Sequence, residues 1–267
     1  MKINILGSGH GMATNCYNTC FTIENDGKHF LVDSGGGNGI IKNLNKLNIS
    51  LESLDSIFIS HIHLDHILGS LWVIRALLPK YYHNKIQKDF LIYGNEEVIN
   101  TLIKLTELLM PTDFKYLLNT KIKFVVLCNN SRFNILDKEV FFFDIDGKKS
   151  VQYGFSMNIE KEKKFTFIGD EFCKENTKKY IKNSEWLFAD AYMCGLDAEN
   201  YDPIKKHCHS TVKYISKIAQ ELNVKNLILS HTMDNDLQNR EKKFKEDSSK
   251  YFGGNILIPN DLDVILM

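Results

Sequence analysis

The sequence predicts an α/β domain in which helices cover the outer faces of two packed sheets. Three observations predict it. Short apolar runs of strand length recur through the first two thirds and end in polar or glycine-rich loops. The last third alternates helix-period with strand-period segments. No Pro/Gly/Ser-rich linker, low-complexity tract or internal repeat divides the chain, whose four prolines lie far apart. With 267 residues, 43% of them hydrophobic, a sizeable core can be buried, and residues 1–267 are expected to form one domain.

Taken in order, the first third gives strands over Ile3 to Leu6, Cys20 to Glu24 and Phe30 to Asp33, a helix over Ile40 to Leu47, and a buried strand from Ile57 to Ser60. The middle gives a helix from His66 to Leu77, a strand over Phe90 to Tyr93 and a helix over Glu96 to Leu109. Strands follow near Phe124 to Leu127, Val140 to Ile145, Tyr153 to Ile159 and Phe165 to Ile168. The last third gives helices over Glu175 to Lys182, Thr211 to Leu222 and Leu237 to Tyr251. Between and after them come strands Trp186 to Ala189, Leu227 to Leu229, Ile256 to Ile258 and Val264 to Leu266.

Charge and cysteine usage exclude several classes of function. Lys plus Arg and Asp plus Glu both number 33, so no net charge draws the chain to a phosphate polymer, and any nucleic-acid contact must be local. The lysines near 178, 205 and 242 read as solvated helix faces. The six cysteines form no CxxC pair, which argues against a zinc ribbon or disulfide framework and for reduced thiols in a cytoplasm. No apolar run approaches the roughly 18 residues that span a bilayer, so no membrane partner is expected. The segment Gly7-Ser8-Gly9-His10-Gly11 lacks the glycine that a dinucleotide loop needs where Met12 stands.

The segment that carries chemistry is Ser60-His61-Ile62-His63-Leu64-Asp65-His66, four potential ligands within six residues after an apolar strand. His61 and His63, two apart, share a face, while Asp65 and His66 lie where a helix begins. One loop can therefore serve two neighbouring metal positions. Imidazole suits zinc, iron, cobalt or nickel, and a carboxylate among neutral imidazoles leaves the ion charged enough to acidify water. Later strands also end in candidate ligands, Asp170 after Phe165 to Gly169 and His231 after Leu227 to Ser230. Alone, Asp170 reads as a turn residue and His231 as a helix cap. Ligands at the ends of separate strands can nonetheless converge on one sheet edge.

With these motifs the sequence resembles the metallo-β-lactamase superfamily, and within it the ribonuclease Z and related phosphodiesterase branch. The resemblance covers nearly the whole chain. HxHxDH at 61–66 is its most specific element, supported by Leu6-Gly7-Ser8-Gly9, Leu31-Val32-Asp33-Ser34-Gly35, Ile168-Gly169-Asp170 and Leu229-Ser230-His231. It implies a four-layer αββα sandwich of two mixed sheets with two divalent metal ions in a cleft, zinc first, with manganese or iron as alternatives. His61 and His63 are then expected to bind the first metal, Asp65, His66 and His231 the second, and Asp170 to bridge them. Asp33 orients the loop from behind. Asp190 in Ala189-Asp190-Ala191 and His209 in His209-Ser210-Thr211 match the branch's acidic residue and histidine, a pair that can hold and protonate a leaving oxygen. The start of a helix at Ser210 and Thr211 is also a natural anion site.

Two departures stand out. The family places another histidine before the bridging aspartate, yet between residues 66 and 170 only His83 occurs, too early in the chain. Asp146 is the candidate replacement, with Asp144 second, and a carboxylate there favours Mn²⁺ or Fe²⁺. There is also no clear Gly/Pro-rich arm of the kind that grips transfer RNA. The expected partners are a phosphodiester, either nucleic acid or a small cyclic or nucleotide ester, and a second copy of the chain in a homodimer. The alternatives are hydrolysis of a thioester, lactone or other acyl substrate, and a non-hydrolytic metal-binding or di-iron protein.

Overall fold

The computed structural model describes residues 1–198 and 208–267, in which fourteen strands build two seven-stranded sheets. The first sheet sets side by side β1 (Lys2–Gly7), β2 (Cys20–Asn25), β3 (Lys28–Val32), β4 (Leu54–Phe58), β5 (Phe90–Gly94) and β6 (Ile122–Val126). The second sets β7 (Arg132–Ile135), β8 (Lys138–Asp144), β9 (Tyr153–Glu160), β10 (Lys163–Phe167), β11 (Trp186–Asp190), β12 (Asn226–Ser230) and β13 (Asn255–Leu257). The last strand, β14 (Val264–Leu266), returns to pair with β1. Each sheet is mixed: β1 to β3 are antiparallel and β3 to β6 parallel, while β7 to β10 are antiparallel and β10 to β13 parallel.

The two-residue period of the strands assigns the layers. In β3, Phe30 and Val32 face the second sheet while Leu31 faces outward, and in β12 Ile228 faces inward between outward Leu227 and Leu229. The inward faces meet in a phenylalanine-rich seam where Phe21 stacks on Phe188 with centroids 4.2 Å apart. Helices α1 (Gly39–Lys46), α2 (Leu64–Tyr82) and α3 (Glu96–Leu109) cover the outer face of the first sheet through Ile40, Ile74 and Leu102. Helices α4 (Glu175–Ile181), α5 (Val212–Glu221) and α6 (Leu237–Ser248) cover the second through Ile181, Ile215 and Phe244. The result is the expected αββα sandwich.

Three details differ from the sequence reading. Helix α2 begins at Leu64, so Asp65 and His66 belong to its first turn. Strand β7 went unforeseen because its hairpin to β8 turns on Leu136 and Asp137, both at positive φ (54° and 59°), where Asn-Gly chemistry would have marked the turn. Helix α6 stops at Ser248, short of Tyr251. Lys178 is paired with Glu175 and Glu221, as a solvated helix face should be. Lys205, Lys206 and His207 lie outside the described residues. Among the described residues no helix is long and apolar enough to cross a membrane.

Candidate metal centre

Parallel strands bring the site together at one edge. β3 and β4 are parallel neighbours, so Asp33 and the segment from Ser60 to His63 leave the first sheet in the same direction. β10, β11 and β12 are likewise parallel, so Asp170, Asp190 and His231 emerge together from the second sheet, Asp190 lying opposite Ser230 in register. Asp33 (φ 53°) and His231 (φ 56°) hold left-handed backbone that non-glycine residues rarely adopt, and Gly169 (φ 69°) makes the same turn just before Asp170. Three of the sharp exits from the strands therefore carry or precede a site residue.

Behind the donors runs a buried scaffold. Asp33 accepts hydrogen bonds from the Ser60 backbone N–H (2.7 Å) and Ser60 Oγ (2.8 Å), and it faces His66 Nδ1 at 2.8 Å. Ser60 Oγ also lies 3.0 Å from His61 Nδ1. Both imidazoles are thus fixed through Nδ1 and present Nε2 to the cleft, as ligating histidines held by an outer carboxylate do.

The Nε2 atoms meet carboxylates and one another. His61 Nε2 lies 2.9 Å from His63 Nδ1 and 3.6 Å from Asp170 Oδ1. His66 Nε2 lies 3.1 Å from Asp65 Oδ2 and 3.6 Å from Asp170 Oδ2, and His231 Nε2 lies 3.3 and 3.6 Å from the same two oxygens. Three overlapping groups can each hold an ion: His61, His66 and Asp170; Asp65, His66 and His231; Asp170, His209 and His231. Within each group the ligand atoms lie within 4.8 Å of one another. The second group contains the three residues expected to share a metal, while Asp170, His66 and His231 each recur in two groups.

The donor set fits divalent cations. His66 Nε2 and Asp170 Oδ1 are buried without a hydrogen-bond partner, a costly arrangement that an ion between them removes. Charge points the same way. Burial works against a charged His66, yet Asp65 and Asp33 overcome it and raise the imidazole well above its usual range. Burial likewise opposes charge on His231, but Asp190, Asp65 and Asp170 lift it to about 10. Burial should also push Asp65 and Asp170 up, and the surrounding imidazoles hold both far below ordinary carboxylates. His61, where burial prevails, is pushed down. So dense a group of buried carboxylates needs compensating cations, either protons or metal.

Asp146 does not join these groups. β8 ends at Asp144, and the chain turns through left-handed Asp146 (φ 59°), whose N–H bonds to Asp144 Oδ1 at 2.7 Å while its side chain faces solvent. Among the described residues Asp144, Asp146 and His63 fall in none of the three groups, His63 presenting its Nδ1 to His61 Nε2 at 2.9 Å. The turn that carries Asp146 projects from the strand end, whereas a ligand must point back across it.

His209 stands on the other flank. Its Nδ1 is 3.5 Å from Asp190 Oδ2, while Asp190 Oδ1 faces His231 Nδ1 at 3.3 Å and Oδ2 accepts the Ser210 backbone N–H. The His209 ring stacks on His231, with centroids 5.0 Å apart and planes at 19°. Helix α5 starts at Val212, capped by Thr211, whose hydroxyl accepts the Tyr214 N–H. Sequence reading passed over His10, Tyr192 and Asp234, which the fold also brings here: Tyr192 lies against His209 (5.1 Å) and His10 against Tyr192 (5.3 Å). The one available signal was the polar run from Thr232 to Asp236 directly after the strand-end histidine.

Comparison with known proteins agrees with this picture. Ribonuclease Z of Nanoarchaeum equitans is 27% identical, aligning over 86% of this chain and 82% of that protein, and ribonuclease Z of Borrelia hermsii is 25% identical over 97% and 95%. Among solved structures, the metallo-β-lactamase-fold protein YhfI from Bacillus subtilis superposes with a TM-score of 0.78 at 17% identity, covering 98% of this chain and 97% of that one. The short form of human tRNase Z gives 0.75 at 18% identity over 100% and 99%, and a diphosphatase of the PhnP family 0.72 at 17% over 99% and 97%. The profile of the family described as Anti-Pycsar protein Apyc1 matches residues 1–250. A metallo-β-lactamase-superfamily chain similar to ribonuclease Z, it belongs to the Anti-Pycsar protein Apyc1 family.

Proposed function

We propose that the protein is a metal-dependent hydrolase that cleaves phosphodiesters with water activated between two divalent cations, and that residues 1–267 act as one unit. The observation that carries this reading is His209 beside Asp190 on the flank of the overlapping donor groups, a proton donor where the leaving oxygen of an ester would sit. Relatives named ribonuclease Z support a phosphodiester, and the return of β14 to β1 supports a single unit. His61, His63, Asp170, Asp65, His66 and His231 hold the cations in this reading, zinc first. When bound, the cations supply a water whose pKa falls toward roughly 7 and neutralise charge on the phosphoryl oxygens.

The chain's own residues do the rest. Asp65, on the first turn of α2, orients the attacking water and takes up its proton. Asp190 sets one carboxylate oxygen beside His209 Nδ1 at 3.5 Å and the other beside His231 Nδ1 at 3.3 Å. His209, with 22% of its side chain exposed, reaches the solvent side of the cleft and gives its proton to the leaving oxygen. Cys16, Cys20, Cys128, Cys173 and Cys208 form no disulfide, which accords with a reducing compartment, and a cytoplasmic location is part of this reading.

The test is metal content by elemental analysis, paired with turnover after reconstitution with Zn²⁺, Mn²⁺ or Fe²⁺. Substrates are bis(p-nitrophenyl) phosphate, a cyclic nucleotide, a transfer RNA precursor and an acyl ester. About two metals per chain and diesterase turnover are expected, with His66→Ala and Asp170→Ala losing both and His209→Ala keeping its metal while turning over esters with alkoxide leaving groups, the cyclic nucleotide and the transfer RNA precursor, roughly a hundredfold slower. Normal metal and full activity in Asp170→Ala would defeat the bridging assignment. A second reading, a metal-binding protein without turnover, is favoured by one observation, the displacement of Asp146 from the centre. Full metal loading with no hydrolysis of any substrate would establish it.

A further inference from the structure

The loop between β1 and β2 places His10 over the cleft, where the proposed reaction leaves it without a task. His10 is mostly covered, with 15% of its side chain exposed, and its Nε2 lies 3.5 Å from Asp234 Oδ1. Asp234 Oδ2 accepts the backbone N–H groups of Thr14 and Asn15, each at 2.7 Å. Asn18 fastens the same loop from within, Nδ2 donating to the carbonyls of His10 (2.8 Å) and Gly11 (3.2 Å). The Met12 N–H meets His10 Nδ1 at 3.3 Å, and the His10 N–H donates to the Thr232 carbonyl at 3.2 Å. So many restraints on a short irregular loop fix the imidazole in one place.

What the imidazole touches is Tyr192, edge to face, with centroids 5.3 Å apart and planes at 74°. Tyr192 in turn lies against His209 at 5.1 Å, and His209 against His231 at 5.0 Å. His209 has need of such support. Its Nδ1 is buried without a hydrogen-bond partner, and Asp190 Oδ2, at 3.5 Å, accepts the Ser210 N–H. Ring packing between His231 and Tyr192 is what holds His209 at the cleft.

We propose that His10 and Asp234 form a positioning pair for His209: the Asp234 carboxylate sets His10, His10 braces Tyr192, and Tyr192 keeps the His209 ring aligned with the leaving oxygen. This rests on the reading of His209 as the acid. A group that delivers a proton in the transition state tolerates little displacement, so loss of the brace slows the steps that need that proton and leaves substrate binding alone.

The test compares leaving groups. A p-nitrophenolate departs unprotonated, whereas the alkoxide of a dinucleoside monophosphate requires a proton. His10→Ala and Asp234→Ala are expected to lower kcat on the dinucleotide roughly tenfold with KM and metal content unchanged, and to alter bis(p-nitrophenyl) phosphate turnover by less than about threefold. The same selectivity is expected of His209→Ala, with no further loss in the double variant His10→Ala/His209→Ala. Should His10→Ala fail to fold, Tyr192→Leu set against Tyr192→Phe takes its place, only the former losing the ring brace.

A selective loss in His209→Ala with none in His10→Ala or Asp234→Ala overturns the positioning pair while sparing the acid. An equal loss on both substrates in His209→Ala overturns the acid itself. The NMR signal of the His209 ring is a readout independent of turnover: it is expected to shift and broaden in His10→Ala, and an unchanged signal rejects the brace even if the protein hydrolyses neither ester.

Discussion

Asp33, His66 and His231 show how single residues set this centre. Asp33 uses both its carboxylate oxygens within the sheet edge, on Ser60 and on His66. In the metal-free protein His231 retains its proton up to about pH 10, far above the ordinary imidazole value of 6.5. A raised folded-state pKa contributes stability that is complete below about 6.5 and disappears as pH rises through about 10. The unfolding temperature of the metal-stripped protein should therefore fall between pH 7 and pH about 10.5, and His231→Gln should flatten that dependence. A metal takes the place of the proton, so proton release on metal uptake, followed by pH-indicator dye, is the companion measurement.

The critical element is α2, whose first turn must sit against the loop after β3. Gly69 makes this possible: a Cβ there would lie 1.9 Å from the Ser34 carbonyl oxygen. The same loop accepts the Gly69 N–H at the Gly35 carbonyl (2.8 Å), and Ser34 Oγ donates to the His66 carbonyl (2.6 Å). Gly69→Ala must push helix and loop apart, at a cost of about 1–3 kcal/mol in stability. Because His66 rides on that turn, metal affinity should fall alongside, and isothermal titration with Zn²⁺ on the refolded variant checks it. Unchanged affinity would show that the donors adjust independently of the helix. Strand β12 plays the matching part in the second sheet, delivering His231 through a left-handed residue directly after Ser230.

At the scale of the molecule, the seam between the sheets sets how the two donor edges face each other. Phe188, two residues before Asp190, is fully buried, stacks on Phe21 and packs against Phe165 and Phe167, five and three residues before Asp170. Phe188→Ala should cost about 3–5 kcal/mol, read as a shift in the denaturant midpoint with an unchanged slope. Such a variant should still bind metal at low temperature, since the donors hang from backbone that other strands also hold. A loss of metal without a loss of stability would contradict the seam's assigned role.

The sequence by itself determined the layered architecture and brought most of the proposed donors into view. Strand periodicity is a local property, as Leu31 between Phe30 and Val32 shows, and the ligand run from His61 to His66 is contiguous. Asp170 and His231 were legible because strand ends announce themselves in apolar patterning. The turn at Asp146 was not legible, because its left-handed backbone and its N–H bond to Asp144 leave no mark in composition. Only the tertiary structure decided which distant residues share a surface. His10 and Asp234 lie on opposite ends of the chain and meet because the segment after β1 bridges to the segment after β12, Gly9 beside Thr232. No local pattern encodes that meeting. It follows from packing one sheet upon another, which places loops together according to strand order and twist rather than sequence distance.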